Sequence, residues 1–354
     1  MKKLTYGSVC SGIEAVSVAW DGLNLKPIWF SEIEPFPCAV LAHHYPSVQN
    51  YGDMTTLPER ILSGEIEAPD ILVGGTPCQA FSVAGLRNSL NDERGNLTLV
   101  FVRILNAINT IRRRHGLPDA VVLWENVPGV LSTRDNAFGC FLAALLGESK
   151  ELVPTRGRWT GAGIVRSDEC EIAWRILDAQ YFGVPQRRRR VFLAAGSRNR
   201  RIAEILFEQQ GKSRDFKKSK TPKQESSAFI ESSFGTYRES DVGGTVKRTG
   251  GALSGGSENL LVSKIGATLS TGFGGRGVDS DQICNGNCVI NYPKVRRLTP
   301  IECERLQGFP DNYTRIPWRN KPAEQCPDTP RYMAIGNSMA VPVIRWIGER
   351  ICGT

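Results

Sequence analysis

No apolar run in this 354-residue chain approaches the ~20 residues that a membrane-spanning helix needs. The first residues, Met1-Lys2-Lys3-Leu4-Thr5-Tyr6-Gly7, lack the apolar stretch and cleavage site of a secretory leader. A cytoplasmic location is therefore expected. The ten cysteines carry no paired spacing, and in that compartment disulfides are not expected. No CxxC pair or Cys/His cluster completes a zinc set. Cys284 and Cys288 lie four apart, with Cys303 further on, and His43, His44 and His115 are remote in sequence. No metal is expected.

What is present has an ordinary globular composition, and its length suits one large domain plus a smaller one. Lys and Arg number 44 against 36 Asp and Glu, a formal charge of +8. That balance is compatible with a phosphate-rich partner and does not by itself name one.

The chain is organised around Gly74-Gly75-Thr76-Pro77-Cys78-Gln79-Ala80-Phe81-Ser82. Asp70-Ile71-Leu72-Val73 before it reads as a buried strand, and two glycines and a proline force a sharp exit. Cys78 then sits where parallel sheets carry their chemistry, at the carboxyl end of a strand. A thiol there suits a nucleophile, because the thiolate is the attacking species.

Around this stretch the chain alternates strands and helices. Leu4–Val9 reads as a strand, Cys10-Ser11-Gly12 as a small-residue turn and 13–20 as a helix, an order that cradles nucleotide cofactors. Residues 28–32 read as a second strand. Glu32 at its end falls about 20 residues after the turn, where an acceptor for ribose hydroxyls is expected. Residues 37–44 read as a helix and 51–55 as a short strand, which leaves Asp53 to accept from an adenine amino group or to cap a helix. Leu97, Phe101, Ile104, Leu105, Ile108 and Ile111 recur at helical spacing, and Arg112-Arg113-Arg114 suit the end of that helix. Residues 120–124 read as a buried strand that delivers Glu125, a candidate acid or base in the layer of Cys78.

Residues 151–170 read as loop and 170–179 as a helix. Gln186-Arg187-Arg188-Arg189-Arg190 then enters a strand. Alternation sends Arg188 and Arg190 to one face, toward the cleft, and Arg187 and Arg189 to the other. Residues 211–224 are rich in lysine and 235–287 in glycine, which reads as a second domain of short strands and loops or as partly disordered. Arg276 lies there in a loop able to follow a nucleic-acid groove. Thr299 caps a helix with Pro300 in its first turn and Gly308 at its stop. Residues 335–343 open a last helix, with Asn337 or Ser338 at its start.

Taken in order, five motifs make the chain resemble the DNA (cytosine-5) methyltransferases of bacterial or phage modification systems. They are Thr76-Pro77-Cys78-Gln79, Glu125-Asn126-Val127, Gln186 to Arg190, Arg297 to Pro310, and Gly336-Asn337-Ser338. The resemblance covers nearly everything except about 200–290. It implies an α/β fold, the Rossmann-like sheet of S-adenosylmethionine-dependent methyltransferases with a second, smaller, irregular β-rich target-recognition domain. Residues 1–196 are then catalytic and cofactor-binding, 197–329 recognise the target, and 330–354 return to the catalytic domain as a C-terminal helix.

The resemblance also implies roles. Cys78 attacks C6 of a flipped-out cytosine, Glu125 protonates N3, Arg190 holds O2 and Arg188 helps position the carboxylate. S-adenosylmethionine lies against Ser11, Gly12 and Ile13. Glu32 meets its ribose, Ile33 and Leu97 its adenine ring, Asp53 the adenine amino group, and Asn337 and Ser338 the methionine end. Gln79, Ser82, Arg276 and Arg297 meet DNA. The partners implied are double-stranded DNA and, functionally, a cognate restriction endonuclease, with the enzyme a monomer. The related tRNA-modifying branch carries a Cys-Phe-Thr triplet that this chain lacks.

Overall fold

The architecture follows from where the apolar runs fall. The structure, a computed structural model, describes residues 3–77, 97–208 and 298–353, with the backbone of five strands between 226 and 296. Leu4–Val9 (β1) is flanked by Leu25–Ser31 (β2) and Ile71–Gly74 (β4), both parallel to it. Gln49–Asn50 (β3) extends the sheet beyond β2, and Val121–Asn126 (β5) extends it beyond β4, again in parallel. Ile71, Leu72 and Val73 are fully buried, as expected of a parallel strand covered on both faces.

Arg189–Ser197 (β8) then pairs antiparallel with β5, and Cys170–Asp178 (β7) and Ala162–Arg166 (β6) complete the order β3-β2-β1-β4-β5-β8-β7-β6. The order reverses between β1 and β4. In doubly wound sheets such a reversal is where ligands bind, outside the carboxyl ends of the two strands. The end of β4 lies so close to β1 that only glycine fits. A Cβ on Gly74 stands 2.5 Å from Val9 Cγ2 and 2.9 Å from the Val9 carbonyl oxygen.

Helices Ala15–Trp20 (α1), Pro35–His44 (α2), Leu57–Leu62 (α3), Leu97–Arg114 (α4), Ala137–Leu146 (α5) and Ile202–Leu206 (α6) accompany this sheet. The α4 stripe is realised: Phe101, Ile104, Leu105 and Ile108 join the core with Trp124, Phe138 and Phe141. Its terminal arginines do more than suit the dipole. Arg112, buried, pairs with Asp70 at 2.8 Å, and Arg113 pairs with Asp119 at 2.6 Å.

The chain forms two compact units. The first comprises Met1–Leu177, Arg189–Arg214 and Arg345–Thr354, and the second Asp178–Arg188 and Asp215–Ile344. The second contains a five-stranded sheet of order β10-β9-β11-β12-β13, built from Ser226–Ser233 (β9), Thr236–Ser240 (β10), Asn259–Ser263 (β11), Asn287–Asn291 (β12) and Lys294–Arg296 (β13). Helices Pro300–Gln307 (α7) and Asp328–Asn337 (α8) follow. The Thr299 cap, the first-turn Pro300 and the left-handed Gly308 stop (φ 82°) stand as expected, with Glu302 closing a capping box. The last helix, Val341–Ile351 (α9), reaches the first unit in its second half. There Arg345 donates to the Ala19 and Asp21 carbonyls, at 3.1 and 2.5 Å.

Five local readings differ from the structure. Residues 170–178 form strand β7, not a helix, although Glu, Ala and Leu favour helices. Ile172 and Trp174 fall on one strand face and are buried in the core, so tertiary packing overrides propensity. Residues 162–166, read as loop, form edge strand β6 against β7. Residues 51–55 are not a strand: pairing ends at Asn50, and Met54–Thr56 make a 3-10 turn. The strand after the arginine run begins at Arg189, so alternation does not carry Arg188 to the face of Arg190. Asn337 ends α8 and Ser338 is its C-cap, while the last helix starts at Val341 with Pro342 in its first turn, where a missing N–H costs nothing.

Candidate active site

At the carboxyl end of β1, the turn that follows runs through three left-handed residues, Cys10 (φ 49°), Gly12 (φ 56°) and Glu14 (φ 60°). Its backbone is laid against the end of β2, with the Ser11 N–H donating to the Ser31 carbonyl at 3.2 Å. Gly12 N–H donates to Glu32 Oε2 at 2.7 Å, and the Ile33 and Glu34 N–H groups both donate to Oε1 at 2.8 Å. Glu32 is thus a fixed carboxylate in the turn's mouth, and Ile33 beside it leaves 68% of its surface in solvent. Nothing lies within 4 Å of a Cβ built on Gly12, so the mouth is open there.

Asp53 is drawn to the same end of the sheet, because Ser31 Oγ donates to the adjacent Gly52 carbonyl at 2.6 Å. Its carboxylate accepts from Thr55 N–H at 2.9 Å and caps the 3-10 turn. Ser11, Gly12, Glu32, Ile33 and Asp53 therefore converge. Ile13 is wholly buried in the core, and Leu97, half-buried, opens α4. The donor set fits an adenosine: carboxylates for hydroxyl and amino groups, and an exposed aliphatic face for a ring. Burial first and the Glu32 charge second push the Cys10 thiol up to about 12, against thiolate formation.

The chemistry side is built where β5 ends. Glu125 and Asn126 are its last two residues. Because β8 is antiparallel to β5, with Asn126 opposite Val191, the start of β8 lies beside the end of β5. Arg190 Nε stands 3.1 Å from Glu125 Oε1, with both side chains largely buried. The approach is off the hydrogen-bond axis, so the contact is a charge pair. Arg190 Nη1 donates to the Arg189 carbonyl at 2.8 Å, which fixes the guanidinium plane.

In the second unit, Arg188 is buried and its Nη2 donates to the Ser338 carbonyl at 2.7 Å and the Gly336 carbonyl at 3.2 Å. Gln307 Nε2 donates to the Ile335 carbonyl at 2.9 Å, and Gln186 Nε2 to the Leu306 carbonyl at 2.9 Å. The segment carrying Asn337 and Ser338 is thereby gripped by side chains from two distant stretches. Cys78, Gln79, Ser82, Arg276 and Arg297 lie outside the described residues. The site residues that sequence reasoning passed over are Asn126, whose Nδ2 donates to the Thr76 carbonyl at 3.0 Å, and the hydroxyl cluster of Thr76 and Thr98. Thr98, polar amid the apolar residues of α4, was the available signal.

Among the described residues no helix is long and apolar enough to cross a membrane, and no group of three His, Cys, Asp or Glu is placed to hold a metal ion. The family described as C-5 cytosine-specific DNA methylase matches residues 4–148 and 166–353. A protein of Escherichia phage P1 named DNA N-6-adenine-methyltransferase is 40% identical over 99% of this chain, which spans 61% of that relative's length. The Type II methyltransferase M.HpaII of Haemophilus parainfluenzae is 28% identical, over 99% of this chain and 89% of its own. The crystal structure of S. pombe Dnmt2 methyltransferase shares the fold, with TM-score 0.58 and 15% identity over 97% of this chain and 96% of its own.

Proposed function

The chain belongs to the C-5 cytosine-specific DNA methylase family, and on that ground we propose that it methylates C5 of cytosine in duplex DNA, using S-adenosylmethionine. The observation that carries the reading is the Glu125–Arg190 pair at the carboxyl end of β5. It stands one strand from β4, which leads into Thr76-Pro77-Cys78. Glu32 and Asp53 would accept hydroxyl and amino hydrogens of the cofactor, Ile33 would cover its ring, and Asn337 and Ser338 would hold its methionine end; the cofactor would supply an electrophilic methyl group.

Cytosine C5 is a poor nucleophile until C6 is attacked. The Cys78 thiolate forms the Sγ–C6 bond, and the displaced electron pair moves through the ring toward N3 and O2. Glu125 gives a proton to N3, and Arg190 holds O2 as charge collects there. Once C5 carries the methyl group, its proton passes to water, the electron pair left behind re-forms the C5–C6 double bond as Sγ departs as thiolate, and the N3 proton returns to Glu125, restoring the ring. C6 is closed to attack within the stack, so the base is extruded from the helix. The basic balance, with Gln79, Ser82, Arg276 and Arg297, serves the DNA backbone and target sequence. Within this reading residues 1–196 and 330–354 are catalytic and 197–329 recognise the target. The enzyme acts as a cytoplasmic monomer, with a restriction endonuclease as its functional counterpart.

The phage relative's name points to the adenine amino group instead. That group is itself the nucleophile and needs neither a thiol nor an acid at a ring nitrogen, so Glu125 and Arg190 would have no task in it. Methylating plasmid DNA with the purified protein and resolving the nucleosides by mass spectrometry decides the matter. The expected product is 5-methylcytosine, abolished by Cys78→Ala. N6-methyladenine, or 5-methylcytosine unchanged in that variant, would overturn the reading. Transfer RNA run in parallel tests the RNA alternative, and bisulfite mapping of the plasmid then reads the target sequence.

A further inference from the structure

Thr76 lies two residues before Cys78 and is almost wholly buried. Three side chains hold it. Trp124 Nε1 donates to its hydroxyl at 3.0 Å, Thr98 Oγ1 lies 2.9 Å from the same oxygen, and Asn126 Nδ2 donates to its carbonyl. The indole can only donate, so Thr76 Oγ1 accepts from it and keeps its own proton or its second lone pair for Thr98.

The placement of these partners is not that of an incidental core bond. Successive side chains on a strand alternate in face, so Trp124 and Asn126 share one face of β5, and Glu125 between them takes the other. In the parallel register, Gly74 of β4 is opposite Trp124. Thr76 lies two residues further on, so Trp124 reaches forward to its hydroxyl while Asn126, two residues along β5, meets its carbonyl. The third partner, Thr98, is the second residue of α4. Thr76 and Thr98 are 22 residues apart in sequence, so their contact joins β4's exit to the start of α4.

We propose that Thr98 and Trp124 are positioning residues for the nucleophile. Acting through the Thr76 hydroxyl, they fix where the Cys78 segment leaves β4 relative to Glu125. The proposal rests on the cytosine-C5 reading. Without the Thr98 hydroxyl, Asn126 still holds the Thr76 carbonyl and the β4–β5 pairing is untouched. The fold and both binding sites therefore survive, while attack on C6 slows, because misplacement of reacting groups by a fraction of an ångström is felt in the chemical step.

The test compares wild type with Thr98→Val, which keeps shape and removes the hydroxyl, Thr98→Ser, which restores the hydroxyl, and Trp124→Phe, which removes the indole N–H. Steady-state methylation gives kcat and both KM values. Single-turnover trapping on duplex DNA containing 5-fluoro-2′-deoxycytidine reads formation of the covalent adduct. Thr98→Val and Trp124→Phe are expected to lower kcat and the trapping rate about tenfold, the worth of one hydrogen bond in the transition state, with KM for DNA and cofactor within about twofold of wild type. Thr98→Ser is expected to trap near the wild-type rate. Trapping by Thr98→Val at the wild-type rate, or a loss that Thr98→Ser does not restore, overturns the proposal. Absence of adduct with wild type itself would instead sink the cytosine-C5 reading beneath it.

Discussion

Glu125 and Arg190 face each other across antiparallel strands, carboxylate oxygen to guanidinium nitrogen at 3.1 Å, although 64 other residues separate them along the chain. The pair holds a carboxyl group and a hydrogen-bond donor side by side. That is the arrangement needed to protonate a ring nitrogen while supporting the neighbouring carbonyl oxygen. Glu125→Gln keeps the shape and removes the acid. Turnover is expected to fall by about 10²–10⁴-fold, the usual worth of a positioned acid, with DNA affinity by filter binding unchanged. A loss below about threefold would remove Glu125 from the chemistry.

Ile33 is a large apolar side chain left 68% exposed at a strand end, beside a carboxylate whose oxygens are already oriented. If it covers the cofactor's ring, Ile33→Ala gives up part of an aliphatic burial worth about 1.5–3 kcal/mol. The KM for S-adenosylmethionine is expected to rise about tenfold with kcat unchanged, and calorimetric titration with the cofactor should give the same factor. An unchanged affinity would place the ring elsewhere.

Glu14 is buried, caps α1 through Ser17 N–H at 2.9 Å, and accepts from Ser17 Oγ at 2.6 Å, which in turn meets Tyr6 Oη at 2.8 Å. Burial raises its carboxyl above the ordinary value and outweighs the hydrogen bonds from Ser17 and Ser8 that pull the other way. The unfolded chain therefore ionises first. The stability from neutral Glu14 is complete below the unfolded value of about 4.3 and is lost as pH rises from there to the folded value. Glu14→Gln, neutral throughout, should flatten that part of the Tm–pH profile. Coincident profiles would mean that Glu14 folds already charged.

Glu14 also occupies a left-handed position, a strain of about 1–2 kcal/mol for a residue other than glycine. Glu14→Gly relieves that strain and forfeits a cap worth about 1 kcal/mol. The two terms nearly cancel, and the Tm at low pH is expected to move by only a few degrees in thermal melts. A fall of more than about ten degrees would show that the bonds to Ser17 matter more than a cap.

Asp70 accepts from Thr5 N–H at 2.8 Å and from Arg112 Nη2 at 2.8 Å, and the Arg112 side chain is only 3% exposed. Burial raises the Asp70 carboxyl, but the bonds from Thr5 and Arg112 prevail and hold it below its ordinary value. Its contribution is therefore present above the unfolded value of about 3.9 and lost as pH falls through the folded one. Asp70→Asn strands a buried guanidinium and is expected to cost about 3 kcal/mol in denaturant unfolding at neutral pH. A cost under about 0.5 kcal/mol would show the pair to be idle.

The helix Pro300–Gln307 was legible down to its ends, because a capping threonine, a first-turn proline and a stop glycine all act within a few residues of the backbone groups they serve. The strand at 170–178 was not. Its residues suit a helix, and only the sheet beside it, which buries Ile172 and Trp174, makes it extended. The strand, small-residue turn and second strand ending near Glu32 were legible by spacing, since one βαβ step joins them. That Gly12 N–H bonds to the Glu32 carboxylate was not, because it depends on how the two strand ends pack. Arg188 was misplaced because alternation was counted from Arg187, two residues before the strand starts. Its guanidinium instead holds carbonyls 148 and 150 positions away.

The order of chemical groups along the chain, the buried strands and the helix ends were determined by the sequence alone. Short-range hydrogen bonding and burial periodicity are local and can be read in place. That Arg190 meets Glu125, that Arg188 grips the turn before Ser338, and that Thr98 and Trp124 hold Thr76 were decided only by tertiary structure. Each depends on which strands lie side by side and in which direction, a choice set by the packing of the whole sheet and written in no single segment.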